Sequence, residues 1–211
     1  MISFLSKGAL PTGAALLLCA ILAACSSRGD VEGLSLPPEL EADRARQGTV
    51  ISDGDPELDV RSWRLVPMNV SGAPFVPGVD PGGRELRLGA VALVMGPDHP
   101  FNPNRAGVQL LFMGISDDWL YEEGASSLEL TLDEDEPLEL PVVGYDESPG
   151  QGYVLETMTV PLPVELLLRL VDSRTVVGRL GPTEFQLDAS ALGRLGGFVD
   201  SLPAELLGPV P

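Results

Sequence analysis

The sequence predicts a mainly β protein, either a two-sheet β-sandwich or a partly open barrel, with one or two C-terminal helices. The first observation is strict alternation, because single polar residues separate Leu128, Leu130 and Leu132 as in a strand with one buried face. The second is spacing, since turn-forming residues recur roughly every 8–15 residues from about residue 58. The third is a change to helical periodicity near the C-terminus.

Segments rich in apolar and β-branched residues, each flanked by turn formers, are predicted to be strands. Residues 84–95 begin with alternating apolar and charged side chains and then become continuously apolar. That change is typical of a strand that runs from a half-exposed position into the core. The predicted strands of this part of the chain are residues 63–66, 84–95, 108–115, 128–132, 138–142 and 151–160.

The C-terminal third begins with a helix and a hairpin. Pro163 is a good first residue for a short helix over Val164–Asp172. Residues 175–180 (TVVGRL) are predicted to be a strand, residues 183–187 alternate apolar and polar side chains, and Gly181-Pro182 separates the two segments. This pattern predicts a β-hairpin.

A last helix follows the hairpin. Asp188 is a good N-cap residue, and the apolar positions after it repeat with the helical period of 3.6. These positions are Leu192, Leu195, Phe198, Val199 and Leu202. Gly196 and Gly197 weaken a helix, and we expect them to let it lie close against the sheet.

The N-terminal residues form a leader. Lys7 precedes an unbroken apolar run of eleven residues, Ala14–Ala24. The run is too short to span a membrane and has the length of a signal-peptide apolar region. The segment Leu22-Ala23-Ala24-Cys25 resembles the lipobox of bacterial lipoproteins. The alternative is an ordinary secretory signal that happens to end in Ala-Ala-Cys.

The resemblance implies a processed, acylated protein. Residues 1–24 would be a lipoprotein signal peptide that is removed, and lipid would be attached to Cys25, the first mature residue. Because Ser26 rather than aspartate follows the cysteine, the resemblance also implies an outer-membrane location in the cell envelope. The mature chain would keep no lysine and no free thiol, so its stability has to come from packing.

The mature chain divides into a tether and a domain. Residues 25–49 are polar, and their proline and glycine residues are typical of a flexible spacer. A short helix is predicted over residues 38–47, but nothing in it is apolar enough to require burial. Residues 50–211 then form a single β-sandwich-like domain.

The charge distribution is strongly acidic. The formal net charge is −18 at pH 7, and the 63 residues between Arg105 and Arg169 hold 14 acids and no basic residue. Such a chain cannot neutralise phosphates, which excludes a nucleic-acid partner. An acidic face suits a protein partner with a basic surface or a divalent cation.

Calcium is the cation that clustered carboxylates favour, since it takes six to eight oxygen ligands. The candidate ligands are Asp133 and Asp135 in the run 133–136, together with Asp117 and Asp118. The alternative is a solvated acidic face, because consecutive strand residues point to opposite sides. The acidic segment from Asp53 lacks the glycine and final acid of an EF-hand, so we interpret it as a polar turn.

Catalytic signatures are weak. His99 lies among turn formers, and a solvated surface residue is the simpler interpretation. No nucleophile motif accompanies it, so no catalytic residue is assigned. The segment 117–123 (DDWLYEE) places Trp119 and Tyr121 among acids and is the best location for a ligand surface. The alternative for this segment is an edge strand with its aromatic residues turned inward.

Three functional hypotheses remain. The first is a lipid-anchored cell-envelope protein with a non-enzymatic role in interaction or assembly and no cofactor. The second is a small envelope hydrolase that uses a pair of carboxylates. The third is a surface protein that calcium stabilises.

Overall fold

The computed structural model describes residues 35–55, 59–79, 82–95, 107–121 and 125–207. Within these ranges the predicted fold class is confirmed, because the chain is mainly β and forms two antiparallel sheets that are not closed into a barrel. The described elements belong to one unit, Leu34–Pro211. The predicted signal peptide, Cys25, Ser26 and His99 lie outside the described residues.

The larger sheet has six strands in the order β1-β2-β3-β4-β8-β7, and every neighbouring pair is antiparallel. Its strands are β1 (Val50–Asp55), β2 (Val60–Ser71), β3 (Arg84–Met95), β4 (Gly107–Ser116), β7 (Gly144–Gly150) and β8 (Tyr153–Leu162).

The smaller sheet has four strands in the order β10-β9-β5-β6. These are β5 (Ser127–Leu132), β6 (Leu138–Pro141), β9 (Val176–Leu180) and β10 (Thr183–Leu187). The helices are α1 (Pro38–Ala45), α2 (Val164–Asp172), α3 (Ala189–Ser201) and α4 (Ala204–Leu207). None of these helices combines the length and apolar character needed to cross a membrane.

The main core lies between the two sheets. Phe112 of β4 packs against Phe185 of β10 with ring centroids 5.5 Å apart, a favourable aromatic geometry. Gly178 of β9 lies under the Phe185 ring, and a Cβ atom there would overlap it. Phe198 of α3 is fully buried in the same cluster, so the C-terminal helix completes the core.

The C-terminal elements follow their sequence pattern. α2 has the predicted bounds Val164–Asp172, and β9 and β10 form the predicted hairpin. Asp188 caps α3, since its Oδ1 accepts a hydrogen bond from the Ala191 amide at 2.7 Å. All five apolar positions predicted to face the core are buried.

The expected role of the glycines in α3 was wrong. A Cβ atom built on Gly193, Gly196 or Gly197 would meet no atom within 4 Å. These residues therefore face open space and do not bring the helix close to the sheet. The core-facing side of α3 is carried by its large apolar residues instead.

The interpretation of Asp53 as part of a polar turn was also wrong. Asp53, Gly54 and Asp55 belong to β1 and pair with β2. The pattern of a half-buried strand is missing because β1 is an edge strand whose last four residues are exposed. Acids and glycine on an exposed edge oppose pairing with another chain.

The predicted tether is too long at its C-terminal end. Residues 36–48, which we call the N-terminal strap, pack against the outer face of the larger sheet. Leu36 and Leu40 are each only 3% exposed. Leu40 lies in the short helix α1 and Leu36 lies just before it, and together they supply the apolar surface that docks the segment.

Candidate functional site

The best candidate for a functional site is an exposed group of aromatic and acidic side chains where β4 ends. We call Trp119, Tyr145 and Glu147 the acid–aromatic patch. Trp119 is 44% exposed and Tyr145 is 39% exposed, which is unusual for such large apolar rings. The patch therefore joins the predicted segment 117–123 to β7, which lies far from it in the sequence.

Glu147 of β7 fixes the two aromatic side chains. Its Oε2 accepts a hydrogen bond from Trp119 Nε1 at 2.8 Å and one from the Tyr145 hydroxyl at 3.2 Å. The carboxylate and both rings thus hold one another in place. A preorganised charge flanked by aromatic surface is suited to binding a cationic group.

A second carboxylate, Glu156 of β8, lies beneath the patch. It is fully buried, and its oxygens accept hydrogen bonds from the Leu120 amide at 2.8 Å and the Tyr121 amide at 2.9 Å. The Tyr145 hydroxyl lies 2.9 Å from Oε1 of the same carboxylate. Glu156 therefore clamps the segment that carries Trp119 onto the sheet.

Tyr145 stays protonated because of these neighbours. Burial and the hydrogen bonds and negative charges of Glu156 and Glu147 all raise its pKa above the ordinary value of 10.0. A protonated hydroxyl can donate a hydrogen bond to either carboxylate. The patch consequently keeps its arrangement throughout the neutral and mildly alkaline range.

Tyr121 is turned inward, as the edge-strand alternative expected, whereas Trp119 is not. The Tyr121 ring covers Gly114 of β4, where a Cβ atom would overlap it. Its hydroxyl lies 2.8 Å from Oγ1 of Thr183 in the smaller sheet. Burial is the main reason that the pKa of Tyr121 is raised. Tyr121 thus serves packing between the sheets, and Trp119 alone is left as the exposed aromatic residue of this segment.

Glu147 of the patch and Glu156 beneath it do not have the arrangement that a glycosidase requires. Both approach the Tyr145 hydroxyl, but Glu156 is fully buried and its oxygens are engaged by backbone amides. A catalytic pair must reach the scissile bond from both sides. Glu147 is the exposed member of the two, so these two carboxylates do not flank an open cleft.

Asp133 and Asp135 make separate structural contacts. Asp133 has a positive φ of 54°, and its Oδ1 accepts hydrogen bonds from the amides of Arg174 and Thr175, each at 2.9 Å. Asp135 forms an exposed ion pair with Arg169 at 3.0 Å. The first acid closes a turn, and the second is screened by solvent.

Asp117 and Asp118 are also engaged individually. Oδ2 of Asp117 accepts a hydrogen bond from the Gly82 amide at 2.8 Å, and Oδ1 of Asp118 accepts one from the Trp119 amide at 2.9 Å. Across the described ranges, no three His, Cys, Asp or Glu side chains are grouped as metal ligands. The calcium site stays a prediction, and Glu122 and Glu123 lie outside those ranges.

A buried charge cluster, which the sequence pattern did not reveal, lies under the N-terminal strap. Glu85 and Arg87 of β3 are buried and joined by a 2.6 Å ion pair. Arg44 of the strap binds Glu85 at 2.9 Å and the carbonyl of Phe75 at 2.6 Å. Glu85 and Arg87 alternate with leucines, so the pattern alone predicts that they face solvent. Only the burial of Leu40 shows that another layer covers them.

Comparison with known proteins gives no relative. The chain matches no protein-family model, no curated protein and no solved structure. Its function therefore has to be inferred from its own residues.

Proposed function

We propose that this chain is a lipid-anchored lipoprotein of the bacterial cell envelope, attached through Cys25 to the outer membrane. The observation that carries the proposal is the apolar run Ala14–Ala24, which ends directly in Cys25 within the segment Leu22-Ala23-Ala24-Cys25. One acyl chain binds a membrane only marginally, and two or more give stable attachment. The lipobox resemblance implies two acyl chains on the Cys25 thiol and a third on the new amino group, and three chains would make release from the bilayer very slow.

The role of the domain is binding or assembly rather than catalysis. The acid–aromatic patch supports this, because it offers two exposed rings around a carboxylate that is already fixed in position. Aromatic residues dominate the energetics of protein interfaces. The acidic chain adds long-range attraction, so the partner would bring a basic side chain to Glu147.

Acylation is tested by incorporation of radiolabelled palmitate. The wild-type protein is expected to be labelled and to partition into detergent, whereas Cys25→Ala is expected to lose both properties. Cys19→Ala is the matched control, because it removes the other cysteine and leaves the lipobox intact. Labelling of Cys25→Ala at the wild-type level would refute the anchor.

The binding surface is tested by quantitative crosslinking in native membranes. Glu147→Gln and Trp119→Ala are expected to lose specific crosslinked products. Asp146→Asn is the matched control, since it removes the same charge from the same strand at an exposed position on the opposite face. Equal products from all variants would show that the patch is not the binding surface.

A further inference from the structure

We propose that the N-terminal strap, residues 36–48, is a releasable part of the membrane tether and sets how far the domain reaches from the bilayer. This inference rests on the proposed attachment through Cys25. In the docked state the strap shortens the link between lipid and domain. In the released state the same residues lengthen it.

The strap crosses the larger sheet over several strands. Leu36 and Leu40 belong to a buried cluster on its outer face, separate from the main core. That cluster also contains Phe75, Met113, Ile115 and Leu155. The Arg87 guanidinium lies 3.4 Å from the Leu40 carbonyl, so β3, β4 and β8 all contribute to the docking face.

The strap begins over β4 and β8 and ends beside β2. The Gln47 side chain lies 3.4 Å from the Asn69 amide of β2, and the Gly48 amide donates to the Val66 carbonyl at 2.9 Å. Gly48 has a φ of 71°, a backbone conformation that favours glycine. The chain turns there and enters β1. Both ends of the strap are thus attached to the sheet.

The strap is held more weakly than the strands beneath it. Its helix has only eight residues and lacks a side-chain N-cap, so it is too short to be stable on its own. Its apolar attachment is limited to Leu36 and Leu40. The strands below it are bonded on both sides in the sheet, which makes the strap the first element expected to open.

The polar contacts of the strap are incomplete. Within the described residues, Arg44 Nε and Arg87 Nη2 are buried without a hydrogen-bond partner. Buried donors without acceptors weaken the docked state. When the strap leaves, water can reach both donors, which offsets part of the loss of the Arg44 bonds to Glu85 and to the Phe75 carbonyl.

Release changes the reach of the anchored domain. The chain from Cys25 to Leu36, if fully extended, spans about 40 Å at 3.3–3.6 Å per residue. With the strap released, the extended chain from Cys25 to Thr49 spans about 85 Å. Release of the strap therefore about doubles the maximum length of the link between Cys25 and the domain.

Hydrogen exchange measured by mass spectrometry tests the release. In the lipidated protein in detergent, strap amides are expected to exchange roughly ten-fold faster than those of β3 and β4. Leu40→Ala is expected to accelerate strap exchange about ten-fold again while β3 and β4 stay within about two-fold. Val177→Ala is the control, because it removes apolar atoms at an exposed position outside the strap. Equal exchange in the strap and the sheet, or equal acceleration of both by Leu40→Ala, would overturn release.

Fluorescence energy transfer tests the distance between the domain and the bilayer. A fluorophore on Val177→Cys and acceptor lipids in vesicles are expected to show less energy transfer when Leu40→Ala is added, since release lengthens the link between the domain and the lipid. Unchanged transfer would overturn the change in reach. Exchange is also measured on Cys25→Ala, which needs no lipid. An unlabelled wild type, or wild-type labelling of Cys25→Ala, would refute the anchor, and intact strap opening in the same proteins would leave the opening established.

Discussion

Glu156 is the residue that organises the acid–aromatic patch from below. Replacing it with alanine leaves the Leu120 and Tyr121 amides without their acceptor. We expect Glu156→Ala to lower the free energy of unfolding by about 2–4 kcal/mol. Glu147→Ala removes an exposed carboxylate and is expected to cost less than about 1 kcal/mol. Urea unfolding followed by circular dichroism measures both values. Equal losses would show that Glu156 does not clamp the segment.

Glu85 links stability to pH. Burial raises its pKa, but hydrogen bonds from Arg87, the Phe75 amide and Arg44, with the charge of Arg87, outweigh burial and leave the pKa below 4.5. The carboxylate therefore stabilises the fold above its unfolded pKa, and this contribution is lost as pH falls through the lower folded value. The stability difference between the wild type and Glu85→Gln should shrink between pH 5 and pH 3, with pH 7 as the reference. Urea unfolding at each pH measures it, and a constant difference would contradict the role of Glu85.

These two acids show what a residue pattern leaves undetermined. Glu85 and Glu156 each lie in a strand where charge at an alternating position normally indicates solvent. Their burial depends on partners far along the chain, Arg44 for one and Tyr121 for the other. The sequence singled out Trp119 among acids as a place for a ligand surface, which stays a prediction, and the structure shows that its side chain is exposed rather than turned inward. The sequence could not predict that Glu147 binds Trp119. The two residues meet because β7 pairs with β8 and β8 pairs with β4.

At the scale of elements, matched glycine substitutions distinguish open from packed positions. Gly196→Ala in α3 meets no atom and is expected to stabilise the domain by about 0.5–1 kcal/mol through helix propensity. Gly178→Ala in β9 overlaps the Phe185 ring and is expected to destabilise it by about 1–3 kcal/mol. Thermal unfolding measures the two opposite shifts. A loss of stability in Gly196→Ala would show that α3 packs more closely than the structure indicates.

Elements with a strong period were predictable, and edge elements were not. β5, α2 and the β9–β10 hairpin have one buried face each. The spacing of their apolar residues therefore indicates a strand or a helix. β1 and β7 are the edges of the larger sheet and are mostly exposed. Their residues satisfy backbone pairing with a single neighbour and carry little apolar signal. α1 was recognised as a helix, but its docking depends on an outer face that only the folded sheet creates.

The whole molecule carries its excess negative charge on a small domain. A net charge of −18 favours solubility and repels like-charged surfaces. It also destabilises the compact state through self-repulsion, which dissolved ions screen. Exposed ion pairs such as Arg179–Glu129 at 2.6 Å offset little of this repulsion. Salt should consequently stabilise the domain.

Unfolding temperatures measured with divalent cations distinguish general charge screening from binding of calcium at a specific site. Asp133 and Asp117 already accept backbone hydrogen bonds, and Asp135 is paired with Arg169. We therefore expect calcium, magnesium and sodium chloride at equal ionic strength to raise the unfolding temperature by the same amount, about 2–4 °C. Calorimetry with EDTA as the blank measures the shifts. A rise of roughly 10 °C with calcium alone would reveal a ligand of the native state, and Asp133→Asn and Asp117→Asn would then show which acid binds it.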